Sequence, residues 1–184
     1  QPATSPSYRK EDFEEYLDIK GDQDHTKLIA MLEAVNSEEM TGSQIMDQYF
    51  DRDNLYYWMA FHMLMGNTEI SSSNYYIYSP LGSERWYLLS WNNADILSES
   101  YRAMQNESYS RSWNHGIFTF VNAPLYQKIF SDEKCREEFD RAVTDVKENY
   151  LTSERLGQKA EEFSAVVKEY LYELPDKIYV RVMP

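Results

Sequence analysis

The sequence predicts an α+β fold that is mainly helical and carries one small β-hairpin. Apolar residues recur at helical spacing in several segments, and each of these segments is bounded by a capping residue, a Gly or a Pro. Two short aromatic runs, "NYYIY" and "RWYLLSW", flank "SPLGSE", whose Pro and Gly signal a hairpin turn. The composition, 42% hydrophobic and 15% aromatic, carries too much apolar surface for a chain to leave in water. A chain of 184 residues is long enough for one domain that buries roughly two thirds of the surface its unfolded form exposes.

Residues 1–7, "QPATSPS", are turn-formers without a period and are expected to be a disordered lead-in, leaving 8–184 as a single domain. The stretch from Tyr8 to Ile19 is ambiguous between helix and short strand. Asp24 is a candidate cap for a helix with Leu28, Ile29, Leu32 and Val35 at helical spacing. A turn of helix is expected near Ile45. A second helix follows from about Arg52, capped by Asp51 or Asp53 and stopped by Gly66. Trp58, Met59, Phe61, Met63, Leu64 and Met65 surround that helix, so it should be the buried central one.

After the hairpin, Asn92 to Asn122 reads as a long polar loop with short helical turns. Pro124 then opens a short helix. Ser131 is the expected cap of a longer one striped with Cys135, Phe139, Ala142, Val143 and Val146. Thr152 or Ser153 caps the last, which carries Leu156, Ala160, Phe163, Val167, Tyr170, Leu171 and Leu174 before Pro175.

Charge and cysteine content exclude several function classes. With 31 Asp and Glu against 18 Lys and Arg, the net charge of -13 argues against a grip on nucleic acid or anionic lipid. Cys135 is alone, so no internal disulfide or Cys-rich zinc site forms, and its apolar stripe places it in the core. No run approaches the roughly 18 apolar residues of a membrane span, and the N-terminus lacks an apolar signal core. His62 lies on an apolar helix, where a buried, hydrogen-bonded histidine is the simpler reading than a metal ligand. The tyrosines are expected to pack with their hydroxyls at the rim.

The stretch "GNTEISSSNYYIY" sets Glu69 five residues before Asn74, the spacing of a phosphotransferase catalytic loop with its acid and its metal-binding Asn. That spacing alone is common, and its plain reading is a polar loop satisfying its own backbone. The wider segment "FDRDNLYYWMAFHMLMGNTEISSSNYYIYSPLGSERWYLLSWNNADI" resembles the CotH kinase family, atypical kinases named for spore coat protein H. The family pattern is a buried helix ending in Gly-Asn-x-Asp, an Asn-Tyr-Tyr strand, a turn, and a strand ending in Trp-Asp-x-Asp. "WNHGIFTFVNAPLYQKIFSDEKCREEF" is similar to the segment that follows, so the resemblance runs over roughly residues 13 to 175.

The resemblance implies the helical C-terminal lobe of a kinase-like fold and, for active members, transfer of phosphate from ATP to a protein hydroxyl with Mg or Mn. Position by position, Asn67 and Asn74 match family asparagines, both on the nucleotide-binding side, with Asn74 also at the metal. Glu69 takes the place of the catalytic Asp, Asn92 that of the metal-binding Asp, and Ala94 that of the second Asp. Asp95 is the alternative metal ligand through a shifted turn. Glu for Asp keeps the charge but moves the carboxylate by roughly 1 Å, a displacement that can cost on the order of 100-fold. Asn92 exchanges a carboxylate for a neutral amide at the ion that holds the phosphates.

No glycine-rich phosphate loop precedes Glu69, and about 23 residues before the first clear helix leave no room for an N-terminal lobe, which is expected to be absent from this chain. The expected function is therefore a pseudokinase or binding module with a protein partner. An active phosphotransferase using a lobe from a longer parent is one alternative, and an interaction module without a nucleotide site is the other. The resemblance implies an exported, cell-surface or spore-associated bacterial protein.

Overall fold

Residues 24–67, 70, 74–93, 96, 120 and 123–174 are described by the computed structural model. The lead-in, the Tyr8 to Ile19 segment, nearly all of the loop after Asn93, Glu69, Ala94, Asp95 and Pro175 lie outside the described residues. In order come α1 (Thr26–Asn36), α2 (Gly42–Tyr49), α3 (Arg52–Leu64), β1 (Tyr75–Tyr78), β2 (Tyr87–Ser90), α4 (Pro124–Ser131), α5 (Glu133–Asp145) and α6 (Ser153–Leu171). The fold is α+β and mainly helical, with one antiparallel hairpin among the described residues.

Local chemistry explains most boundaries. His25 is the N-cap of α1 rather than Asp24, although Asp24 Oδ1 accepts from the Thr26 N–H at 2.9 Å. The turn expected near Ile45 is a full helix, because Thr41 and Gln44 form a reciprocal capping box. Asp51 caps α3 through the Asn54 N–H, and Pro124 sits at the first position of α4, where its missing N–H costs nothing. Ser131 ends α4 instead of starting α5; Asp132 takes that place and accepts from the Cys135 N–H. Thr152 caps α6 through the Arg155 N–H. A five-residue π-helical stretch, Val146–Tyr150, precedes α6, and no sequence signal announces it.

Two compact units, Gln1–Thr144 and Asp145–Pro184, make up the chain. The first holds the core: Ile45 and Met46 of α2, Phe50, Leu55 and Met59 of α3, Ile129 of α4 and Cys135 of α5 are all buried. α3 buries Leu55, Tyr56, Trp58, Met59, Ala60 and His62, while Phe61, Met63 and Leu64 are half-buried and Asp53 and Tyr57 are exposed, so the helix expected to be buried all round keeps one open side. Burial pushes the Cys135 thiol above its ordinary value, which fits a core cysteine. In the second unit, no residue of α6 is buried, so its apolar stripe is not core. No described helix is long and apolar enough to cross a membrane.

α2 and α4 meet at a close backbone approach. A Cβ on Gly42 would lie 2.5 Å from the Lys128 carbonyl oxygen, and the neighbouring Ser43 N–H donates to Asp132 Oδ2 at 2.8 Å. The Lys128 ammonium donates in turn to the Ser37 and Met40 carbonyls, closing the α1–α2 connection over α4. Gly42→Ala tests this contact with a clear sign. Helix propensity alone favours Ala by about 1 kcal/mol, whereas the clash should cost on the order of 1–3 kcal/mol. Urea unfolding is expected to show a net loss of stability.

Candidate functional site

The site is built around the C-terminal end of α3. Gly66, at φ 64, takes the left-handed conformation that ends the helix. Its N–H donates to the Met63 carbonyl at 3.2 Å and the Asn67 N–H donates to the His62 carbonyl at 3.0 Å, the bond pair of a Schellman motif. This closure turns Asn67 back over His62. The Asn67 carboxamide nitrogen lies 3.1 Å from His62 Nδ1, and His62 Nε2 lies 2.9 Å from Ser90 Oγ on β2. The expected buried, hydrogen-bonded histidine is therefore present, and it joins two elements.

His62 is sealed from solvent and edged by the Trp58 and Phe61 rings. Burial lowers its pKa from 6.5 to about 4, so the ring is neutral at pH 7. A neutral imidazole has one donor and one acceptor. With the Asn67 NH₂ donating to Nδ1, the ring proton lies on Nε2 and is donated to Ser90 Oγ. Asn67 Oδ1 is buried and lacks a partner.

One turn of α3 fastens the middle of β2. Asn54 Oδ1 accepts from the Leu88 N–H at 2.7 Å and its Nδ2 donates to the Leu88 carbonyl at 3.2 Å, so the side-chain amide acts as a third strand. Before β2, the Trp86 N–H donates to the Tyr49 carbonyl at 2.7 Å and the Asp51 N–H donates to the Trp86 carbonyl at 3.2 Å, forming a parallel bridge.

The hairpin pairs Tyr75 with Ser90 through to Tyr78 with Tyr87. One further bond, Trp91 N–H to the Asn74 carbonyl at 2.9 Å, continues the pairing at the open end. Asn74 and Asn92 both adopt positive φ there, 65° and 51°, which asparagine tolerates better than most residues. The structure thus brings Asn74 and Asn92 to the two strands' adjacent ends and ties Asn67 to the same strand through His62 and Ser90. Glu69, Ala94 and Asp95 fall outside the described residues, while Ile70, next to Glu69, is buried. Sequence reasoning missed Asn54 and Ser90. The signal for Ser90 was available, since it follows Trp86 and Leu88 at period two on the inward side of β2.

The family comparison matches residues 1–181 to the CotH kinase protein family. The chain belongs to that family. No curated protein and no solved structure matches it. CotH membership makes the domain kinase-related and asks whether its residues suit a phosphate-bridging metal. Among the described residues, no group of three or more His, Cys, Asp or Glu converges. The hairpin's open end carries Asn74 and Asn92, whose amides are neutral and lack the carboxylate charge that balances a phosphate-bridging divalent cation.

Two outcomes follow for this CotH domain. Asn54→Ala strips both partners from the Leu88 backbone and should cost about 2 kcal/mol or more, with Asn54→Asp intermediate because it keeps the acceptor. Urea unfolding and amide exchange at Leu88 report both. His62, whose folded pKa lies below its unfolded one, contributes stability that is complete above pH 6.5 and declines as pH falls towards about 4. The full loss is about 3 kcal/mol. The difference in unfolding free energy between wild type and His62→Gln, followed from pH 7 to 4, should carry that slope.

Proposed function

We propose that this CotH kinase domain is a pseudokinase, a degenerate member that binds a protein partner instead of transferring phosphate. The observation that carries the reading is Asn92, a neutral amide at the open end of the hairpin beside the family-matching Asn74, where active members are expected to hold a metal with a carboxylate. Ala94, which has no metal-ligating group, supports it. The exposed outer residues of the hairpin, Tyr76, Tyr78, Leu89 and Trp91, supply apolar surface suited to a partner, with the Trp91 ring edge-on to Tyr76 at 5.6 Å.

The alternative is an ATP- and metal-dependent phosphotransferase in which Glu69 serves as base, Asn67 contacts nucleotide, and Asn74, Asn92 or Asp95 share Mg or Mn. It is favoured by the retained charge at Glu69 and by the backbone bond that sets Asn74 beside Trp91 and Asn92. The family name supports a spore-coat association, and we extend it to an exported or cell-surface bacterial protein.

Titration calorimetry with ATP plus Mg, then Mn, separates these readings. The unmodified chain is expected to show no binding at micromolar concentration, and Asn92→Asp with Ala94→Asp is expected to gain it. Micromolar binding by the unmodified chain, with transfer of labelled phosphate, would establish the phosphotransferase instead. Silence from both chains would favour an interaction module without a nucleotide site.

A further inference from the structure

In the second unit, α6 carries an apolar face that stays exposed. Phe163, Val166 and Tyr170 are 68%, 67% and 64% exposed, and no residue of the helix is buried. Contiguous apolar surface of this kind marks a contact with another molecule. Its spacing says which kind of molecule. Leu156, Ala160, Phe163, Val167, Tyr170 and Leu174 follow one another at intervals of four, three, four, three and four, the 3.5-residue repeat whose seam packs against a second helix.

The helix that fits this seam is α6 of a second copy, running antiparallel. In that orientation Ala160 of one copy lies level with Tyr170 of the other and Phe163 with Val167, each pair occurring twice about a two-fold axis, while Leu156 meets Leu174. Each aromatic ring then faces a smaller side chain, the alternation that lets layers interdigitate. In a parallel pair Phe163 would meet Phe163, Tyr170 would meet Tyr170 and Ala160 would meet Ala160, so crowded and underfilled layers would alternate.

The flanks of the seam agree. The antiparallel pair sets Lys159 of one copy against Glu173 of the other, again twice, and on the axis places Val166 against Val166 and Ser164 against Ser164, so no like charges oppose. Glu173 lies two residues beyond Leu171, and its N–H donates to the Tyr170 carbonyl at 3.0 Å, which keeps it on the last turn. In a parallel pair Lys159 would face Ser164 and gain no ion pair.

We propose that this domain self-associates through α6, two copies pairing antiparallel along the seam from Leu156 to Leu174. Such a contact is isologous and closes as a dimer. It does not rest on the pseudokinase reading. With 19 residues α6 is about 28 Å long, so the seam is short, and a weak dimer is expected that dissociates at about 10–100 µM.

Sedimentation equilibrium of the unmodified chain, from micromolar to millimolar concentration, should show a reversible monomer–dimer transition. Phe163→Glu leaves the single chain folded, because Phe163 is exposed there, but it brings two unpaired carboxylates into the central layers and should weaken the dimer at least about 30-fold. Lys159→Glu and Glu173→Lys each set like charges against one another at both flanks and should each weaken it about 5-fold. Mixed together, the two charge variants regain opposite charges at both flanks, so the mixture should associate as tightly as the unmodified chain. A monomer up to millimolar concentration, a dimer indifferent to Phe163→Glu, or a mixture that associates no more tightly than its two components overturns the proposal.

Discussion

A neutral imidazole sealed at the end of α3 is the constraint on which the site depends. His62 receives the Asn67 amide on one nitrogen and holds Ser90 with the other, so the loop that leaves α3 and the strand that ends in Ser90 share one buried group. Its value lies less in the strength of either bond than in the asymmetry of losing one. Hydrogen bonds of this kind contribute about 1 kcal/mol net, but a buried partner left unsatisfied costs more. Charging the ring would give it two donors and no acceptor, which the Asn67 amide in its observed role cannot accommodate.

The same logic extends along β2. Two isolated strands are at best marginally stable in water, and this hairpin has four residues on each side. Its inward residues at period two, Trp86, Leu88 and Ser90, are fastened in turn to Tyr49 and Asp51 on either side of Phe50, to Asn54 and to His62. These anchors climb α3 from its cap to its last turn. The hairpin is therefore held rigid by the helix it lies along, and the two asparagines at its open end inherit that rigidity. At the opposite end the Lys27 ammonium reaches the turn carbonyls of Pro80 and Ser83 and lies over the Trp86 ring at 5.5 Å.

Much of this was legible in the residues. Gly66 as helix stop, Asp51 as cap, Pro124 as helix opener and the Pro-Gly turn between two aromatic runs each act through a local backbone preference, and each stands where it was expected. Expectations failed where a side chain serves a distant partner. Asp132 displaces Ser131 at the start of α5 because it also binds the Ser43 N–H from α2. α6 has a proper amphipathic period, yet none of its residues is buried, since periodicity shows that a face is apolar and not that anything covers it. For the candidate site, Asn67 and Asn74 were marked in advance by their match to a family pattern, and Asn92 by its departure from it. Asn54 carries no pattern, and the period-two spacing of Ser90 gives its side of the strand but not its partner, because the groups they bind lie 34 and 28 residues away.

By itself the sequence determined the order of helices and hairpin, the family, and the chemistry available at the hairpin's end, because capping, turn formation and residue identity are all short-range or composition-level properties. Only the tertiary structure decided which polar groups meet. That His62 is neutral and that Asn54 acts as a strand both depend on desolvation and on contacts between segments far apart in the chain. No local stretch of sequence contains that information.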